Sequence, residues 1–215
     1  MQLVEQRPWS DWIGLVAYTG LALLLWSQST EWGVLMLPTI FHELLVAGAF
    51  LIRSRPRRSL PGWPPRLVGY AHTFLILLFL QIASRWFPEW IRPTPSVPVR
   101  LAGGYLWLIA TLLGLWPLWY LRRSFSLEPQ ARNLVTSGPY RLSRHPIYAV
   151  YALTFTGLWL RSITLPFTVV MAAWFALLFE RMRYEEEVLE LTFPEYADYR
   201  RRVGALAPRL LGPRP

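Results

Sequence analysis

Apolar residues in this chain gather into long uninterrupted blocks instead of recurring at the three- and four-residue intervals of an amphipathic helix. Nearly uncharged stretches run over Trp12–Gln28, Val34–Ile52, Val68–Phe87 and Leu101–Leu121, each close to the ~20 residues that carry an α-helix across a hydrocarbon core. They predict four spanning helices. Two further apolar runs, Ile147–Leu160 and Ile163–Glu180, are separated only by Arg161 and Ser162. The first is short for a full crossing at ~1.5 Å rise per residue, so the pair predicts a tight helical hairpin. The pattern reads as an all-α, polytopic integral membrane protein of about six helical segments, with a further polar helix after the hairpin. It is a single membrane domain over 1–215, in which 1–121 form a four-helix part and 122–215 carry the chemistry.

Composition agrees, with 53% of residues hydrophobic and 16% charged. All 22 lysine-plus-arginine positions are arginine, and 18 of them fall in segments 1–11, 53–67, 122–146 and 181–215. Those segments share one side of the membrane if the spans alternate. The bias of basic residues toward the cytoplasm then predicts both termini inside, in the inner membrane if the cell is bacterial. A net charge of +9 invites a nucleic-acid reading, but the arginines flank spans and form no stripe interleaved with aromatics, so anionic headgroups are the expected partner. The absence of cysteine excludes a thiolate nucleophile, a disulfide framework and thiolate metal sites. Glu5 and Asp11 surround Arg7 and no small-residue cleavage site ends the first run, which argues against a removable signal peptide. Trp9, Trp12, Trp32, Trp86 and Trp90 near span ends suit an interfacial aromatic belt.

Candidate chemistry is concentrated late in the chain. Leu134–Tyr148 is polar and turn-rich: Gly138-Pro139 makes a turn, Tyr140 follows, and Arg144-His145-Pro146 leads into the hairpin with Tyr148 just inside. Pro146 fits a helix first turn, whose free amides, aimed at the membrane boundary, suit a polar or anionic group. Beyond the hairpin comes Arg181-Met182-Arg183-Tyr184-Glu185-Glu186-Glu187. Arg181 and Glu185, like Arg183 and Glu187, stand four apart, but in the weaker Arg-before-Glu order, worth a few tenths of a kcal/mol per pair. Salt-bridged helix stability is thus a poor account of three consecutive glutamates. A hairpin returns to the face it left, so the two polar clusters are expected to be neighbours.

G-P-Y, R-H-P-x-Y, a hairpin, then R-x-E-E-x-x-L with later aromatics resembles the isoprenylcysteine carboxyl methyltransferase family over roughly Asn133 to Val203. The matching residues are Gly138, Pro139, Tyr140, Arg144, His145, Pro146 and Tyr148, then Arg183, Glu185, Glu186, Leu189, Phe193, Tyr196 and Tyr199. Where many members read F-G-x-x-Y, this chain reads Phe193-Pro194-Glu195-Tyr196. The resemblance implies an S-adenosylmethionine-dependent methyltransferase that takes its lipophilic acceptor from the bilayer. It implies cofactor binding by Gly138, Pro139, Tyr140, His145, Pro146, Tyr148, Glu185 and Glu186, and names a prenylated-cysteine carboxyl group as acceptor. A carboxylate acceptor needs no general base, and Arg144 or Arg183 would orient it. An amine or thiol acceptor needs a base, for which Glu186 and His145 are the candidates; an isoprenoid acid, a small thiol and a phospholipid amine all stay open.

Two other polar spots lie within apolar runs: His42-Glu43 near the middle of the second, and His72 near the start of the third. Such groups are costly at membrane depth and face a partner or a cavity. A structural pair with Arg or His of a neighbouring helix, an acceptor-site role and a proton role all fit Glu43, while the set is too small for a metal site. A transporter or non-catalytic membrane protein would use Glu43, but leaves the clusters flanking the hairpin unexplained. A nicotinamide-dependent reductase lacks a G-x-G-x-x-G turn after a strand.

Overall fold

The computed structural model describes residues 9–32 and 36–209. Seven α-helices account for most of them: α1 (Trp9–Trp32), α2 (Leu37–Ile52), α3 (Pro64–Trp86), α4 (Val97–Leu121), α5 (Pro146–Arg161), α6 (Leu165–Glu190) and the short α7 (Tyr196–Arg202). The all-α expectation, the hairpin (α5 and α6) and the helix after it are all present. Helices α2 to α6 each begin with proline in the first turn, where its fixed φ suits the helix and its missing N–H costs nothing. Trp9 and Trp32 lie on α1, but their side chains, like Glu5, Arg7 and Val34, fall outside what is described.

Four full crossings were expected before residue 122, and here the structure differs. Among the described residues, the helices long and apolar enough to cross are α3, α4 and α6. The apolar stretches Asp11–Trp26 and Leu37–Ile52 are shorter. Sixteen residues of α2 rise only about 24 Å against a ~30 Å core, so apolarity alone overstated α2; α1 has 24 residues, and Asp11–Trp26 is the part of it whose side chains are described.

Helices pair most closely as α4 with α5, α1 with α2, and α3 with α6. The loops sort to two ends. At one, β1 (Arg58–Ser59) pairs antiparallel with β2 (Gln130–Ala131), tying the α2–α3 loop to the α4–α5 loop. At the other, Ser162 Oγ donates to Ile91 O at 2.5 Å and Thr94 Oγ1 to Ile163 O at 2.9 Å, tying the α3–α4 connector to the hairpin tip. Leu78, Ile109, Val169 and Phe179 remain more than half exposed on the outer surface, as lipid-facing residues must. Inside, Phe167, Met171, Trp174 and Leu178 of α6 form one fully packed stripe at helical spacing.

The α4–α5 contact depends on glycine. A methyl group on Gly157 would sit 2.5 Å from Trp107 N and 2.7 Å from Gly103 O, and one on Gly103 would sit 2.6 Å from Gly157 O. Small residues allow such backbone approach in membranes. Gly157→Ala should therefore destabilise the protein by about 1–3 kcal/mol, read as a lower thermal unfolding temperature in detergent. An unchanged melt would mean that α4 and α5 can separate freely.

Candidate functional site at the polar end of the hairpin

The α6 stripe continues past its apolar part. One helical step beyond Leu178 comes Arg181, only 3% exposed, and one turn later Glu185. Arg181 Nε donates to Glu185 Oε1 at 3.1 Å. Its remaining donors reach Gly69 O (3.2 Å), His72 Nδ1 (3.2 Å), Thr73 Oγ1 (2.9 Å) and Ser126 O (2.7 Å), and the guanidinium lies 5.4 Å from the Tyr148 ring centre. The Tyr148 hydroxyl donates to the Glu185 carboxylate. Arg181 is therefore a buried hub joining α3, α6 and the loop after α4, more than the i,i+4 pair with Glu185 that the spacing offered.

The final turns of α6, Glu180 to Glu190, extend beyond its apolar stretch to the polar end. There Glu186 Oε1 accepts from Arg144 Nε (2.9 Å) and Nη2 (2.7 Å) and lies 3.0 Å from His145 Nε2. Arg200 Nε stands 3.4 Å from Oε2. Burial alone would raise the Glu186 carboxyl, but hydrogen bonds from His145 and Arg144 outweigh it and hold the group at about 2, against an ordinary 4.5. The His145 and Tyr148 rings stack with centroids 5.5 Å apart. The two clusters flanking the hairpin thus meet, as the topology required.

A cleft of about 90 Å³ opens beside them, lined among others by Tyr140, Arg144, His145, Tyr148, Glu185, Tyr196 and Tyr199. Gly138 and Pro139 stand outside its lining: Gly138 has φ +58°, and a methyl group there would lie 2.5 Å from the Tyr120 ring. Pro146 likewise starts α5 without lining the cleft. Glu186 reaches it through Arg144 and His145. Arg183 does not join the group: it is two-thirds exposed and pairs with Glu180.

Sequence reasoning missed the opposite wall, formed by Ser126, Glu128, Gln130 and Arg132. These alternate with Leu127, Pro129 and Ala131, which are buried. That two-residue period, extended chain with one polar face, was the available signal. Arg132 is only 2% exposed and donates to Gln130 Oε1 at 2.8 Å and to Ser54 O.

The first-turn amides of α5 were expected to be free, but Tyr148 N and Ala149 N both donate to His145 O at 3.1 Å, and the amides just ahead of the helix are taken as well. Arg144 N donates to Gly204 O at 2.8 Å and His145 N to Ala205 O at 2.9 Å. Ser143 Oγ also donates to Ala205 O (2.6 Å), and Arg144 Nη1 to Val203 O (2.6 Å). The segment after α7 clasps the loop, and the Tyr199 hydroxyl adds a bond to Tyr140 O at 2.6 Å.

Buried polar atoms without a partner among the described residues include Tyr140 Oη, Tyr196 Oη and Arg132 Nε, all on residues that line the cleft. With Glu185 they make a set of donors and acceptors beside aromatic rings. A ligand carrying an amine, a carboxylate, hydroxyls and a flat base fits that chemistry. One larger than the enclosed space would extend through the open mouth.

Residues 99–195 match the phospholipid methyltransferase family, which covers the hairpin, both polar clusters and the missed wall. Two curated proteins are similar over a longer stretch. The cobalt-zinc-cadmium resistance protein CzcN of Cupriavidus metallidurans is 37% identical over 140 residues, 64% of this chain and 60% of that protein. The nickel-cobalt-cadmium resistance protein NccN of Alcaligenes xylosoxydans xylosoxydans is 34% identical over 128 residues, 59% of this chain and 56% of that protein. The chain thus spans a little over half the length of each.

Proposed function

We propose, on the match of residues 99–195 to the phospholipid methyltransferase family, that this protein transfers a methyl group from S-adenosylmethionine to a lipophilic acceptor at the cytoplasmic boundary of the membrane. The observation that carries this reading is the joining of Arg144, His145 and Tyr148 to Glu185 and Glu186 beside a cleft with unpartnered polar atoms. Arginine-rich loops at that end support a cytoplasmic site with both termini inside.

The cofactor, when bound, supplies an electrophilic methyl group already activated by the sulfonium. What remains for the chain is to bind, orient and exclude water. Glu185, fixed by Arg181 and Tyr148, offers carboxylate oxygens to an amine or ribose hydroxyls. Tyr140, Tyr196 and Arg132 offer donors, and the stacked His145 and Tyr148 rings offer an aromatic wall. Glu186 positions Arg144 and His145.

The family resemblance names a carboxyl acceptor. Arg144, however, is held by Glu186, and Arg183 faces away from the cleft, so product chemistry decides the methylated atom. Protein in lipid nanodiscs should bind S-adenosylhomocysteine saturably, and should transfer labelled methyl from S-adenosylmethionine into a solvent-extractable product. Release of the label as methanol in mild base identifies an ester; a base-stable label identifies an amine or thiol acceptor. A folded sample that binds no S-adenosylhomocysteine overturns the proposal.

A further inference from the structure

Arg144 and Arg132 both line the cleft, and they differ in how fully they are engaged. Arg144 Nε and Nη2 bond to Glu186 Oε1, and Nη1 donates to Val203 O and Arg200 O. Arg181 stands behind the lining and commits its nitrogens to Glu185, α3 and Ser126 O. The amides around the start of α5 bond to His145 O, Gly204 O and Ala205 O. None of these is left for an anion in the cleft.

Arg132 is different. Its side chain is 1% exposed. Nη1 donates to Ser54 O and Nη2 to Gln130 Oε1 at 2.8 Å, while Nε has no hydrogen-bond partner among the described residues. Asp11 stands 3.6 Å from Nη2 but is bonded at closer range by Arg53. Gln130 is itself fixed: its Oε1 accepts from Ser126 Oγ at 3.1 Å and its Nε2 donates to Glu128 Oε2 at 3.3 Å, while Glu128 Oε1 accepts from the Tyr70 hydroxyl at 2.8 Å. The guanidinium is thus held by its Nη groups in a hydrogen-bonded wall, with one donor unused. Burial draws its pKa down to about 10 from an ordinary 12.5, against the weaker opposing pull of Glu128. A buried cationic N–H without an acceptor is costly, and an anion entering the cleft relieves both penalties.

We propose that Arg132 seats the α-carboxylate of S-adenosylmethionine, so that the cleft selects ligands carrying this group. The assignment rests on the methyl-transfer reading above and adds a direction to it: the carboxylate goes to the wall that carries β2, and Glu185 on α6 is left for the amine or the ribose. A guanidinium N–H gives a carboxylate oxygen a charge-assisted bond, whereas the hydroxyls of Tyr140 and Tyr196 bring no opposite charge.

Protein in nanodiscs is titrated calorimetrically with S-adenosylhomocysteine, with its decarboxylated analogue, and with methylthioadenosine, which lacks the whole amino-acid end. The parent should bind S-adenosylhomocysteine roughly thirtyfold or more tightly than the decarboxylated analogue. In Arg132→Met the two affinities should come within about threefold of each other, with methylthioadenosine bound as in the parent. Equal loss of all three ligands in the variant marks a structural arginine and overturns the assignment, and so does a folded variant that keeps the parent's preference. If Arg132→Met fails to fold, the parent decides: equal affinity for S-adenosylhomocysteine and the decarboxylated analogue overturns the assignment and leaves the methyl-transfer reading standing. A folded parent that binds no S-adenosylhomocysteine overturns both.

Discussion

Arg181→Ala is expected to cost about 3–5 kcal/mol of stability, the usual penalty for breaking a buried charge pair, and to take the cleft beside Glu185 with it. The guanidinium is almost fully buried and ties Glu185 to Gly69, His72, Thr73 and Ser126. Without it, Glu185 keeps only Tyr148 and a distant His145 among the described residues, and four acceptors on two segments lose their donor. Thermal unfolding in detergent, followed by intrinsic fluorescence, reads the effect. Arg181→Lys should recover little, since a point charge on a flexible stem cannot replace a fork of five donors. A melting curve that overlays the parent's would mean that the hub is redundant.

Glu186→Ala should lower affinity for S-adenosylhomocysteine roughly a hundredfold or more with a smaller effect on folding. Arg144 retains bonds to Val203 O and Arg200 O, so the loop stays clasped, but Arg144 and His145 lose the carboxylate that aims them at the cleft. Titration calorimetry separates this from Arg181→Ala, since the Glu186 variant should melt as a folded protein and still fail to bind. The acid limb gives a second reading. The folded-state value of about 2 lies below the ordinary 4.5, so Glu186 contributes stability in full above pH 4.5 and loses it as pH falls toward 2. Glu186→Gln should flatten that window, and an acid limb identical to the parent's would show that Arg144 and His145 do not hold the carboxylate.

The length of apolar blocks and hairpin topology carried most of what could be read before the structure. Apolar blocks marked the helices, Pro146 marked the start of α5, and the return of the hairpin implied that His145 and Glu186 would meet. What escaped depends on distance in the chain or on patterns too short to weigh. Ser126 to Arg132 alternates polar and apolar residues over one turnless stretch, yet only Gln130–Ala131 pairs as strand. Arg183 was grouped with the site through the family resemblance, but helical phase turns it outward while Arg181 points in. The amides of Arg144 and His145 find acceptors near residue 204 that no local signal announces.

That last arrangement bears on how the protein is made. Ser143 and the carbonyl it grips at Ala205 are 62 residues apart, with the whole hairpin inserted between them. During synthesis the spans can enter the bilayer one after another while the loop ahead of α5 still lacks its partners. The clasp closes only once residues 203–205 have left the ribosome. Integration into the membrane therefore precedes completion of the binding cleft, and nascent chains stalled within α7 should be inserted and inactive.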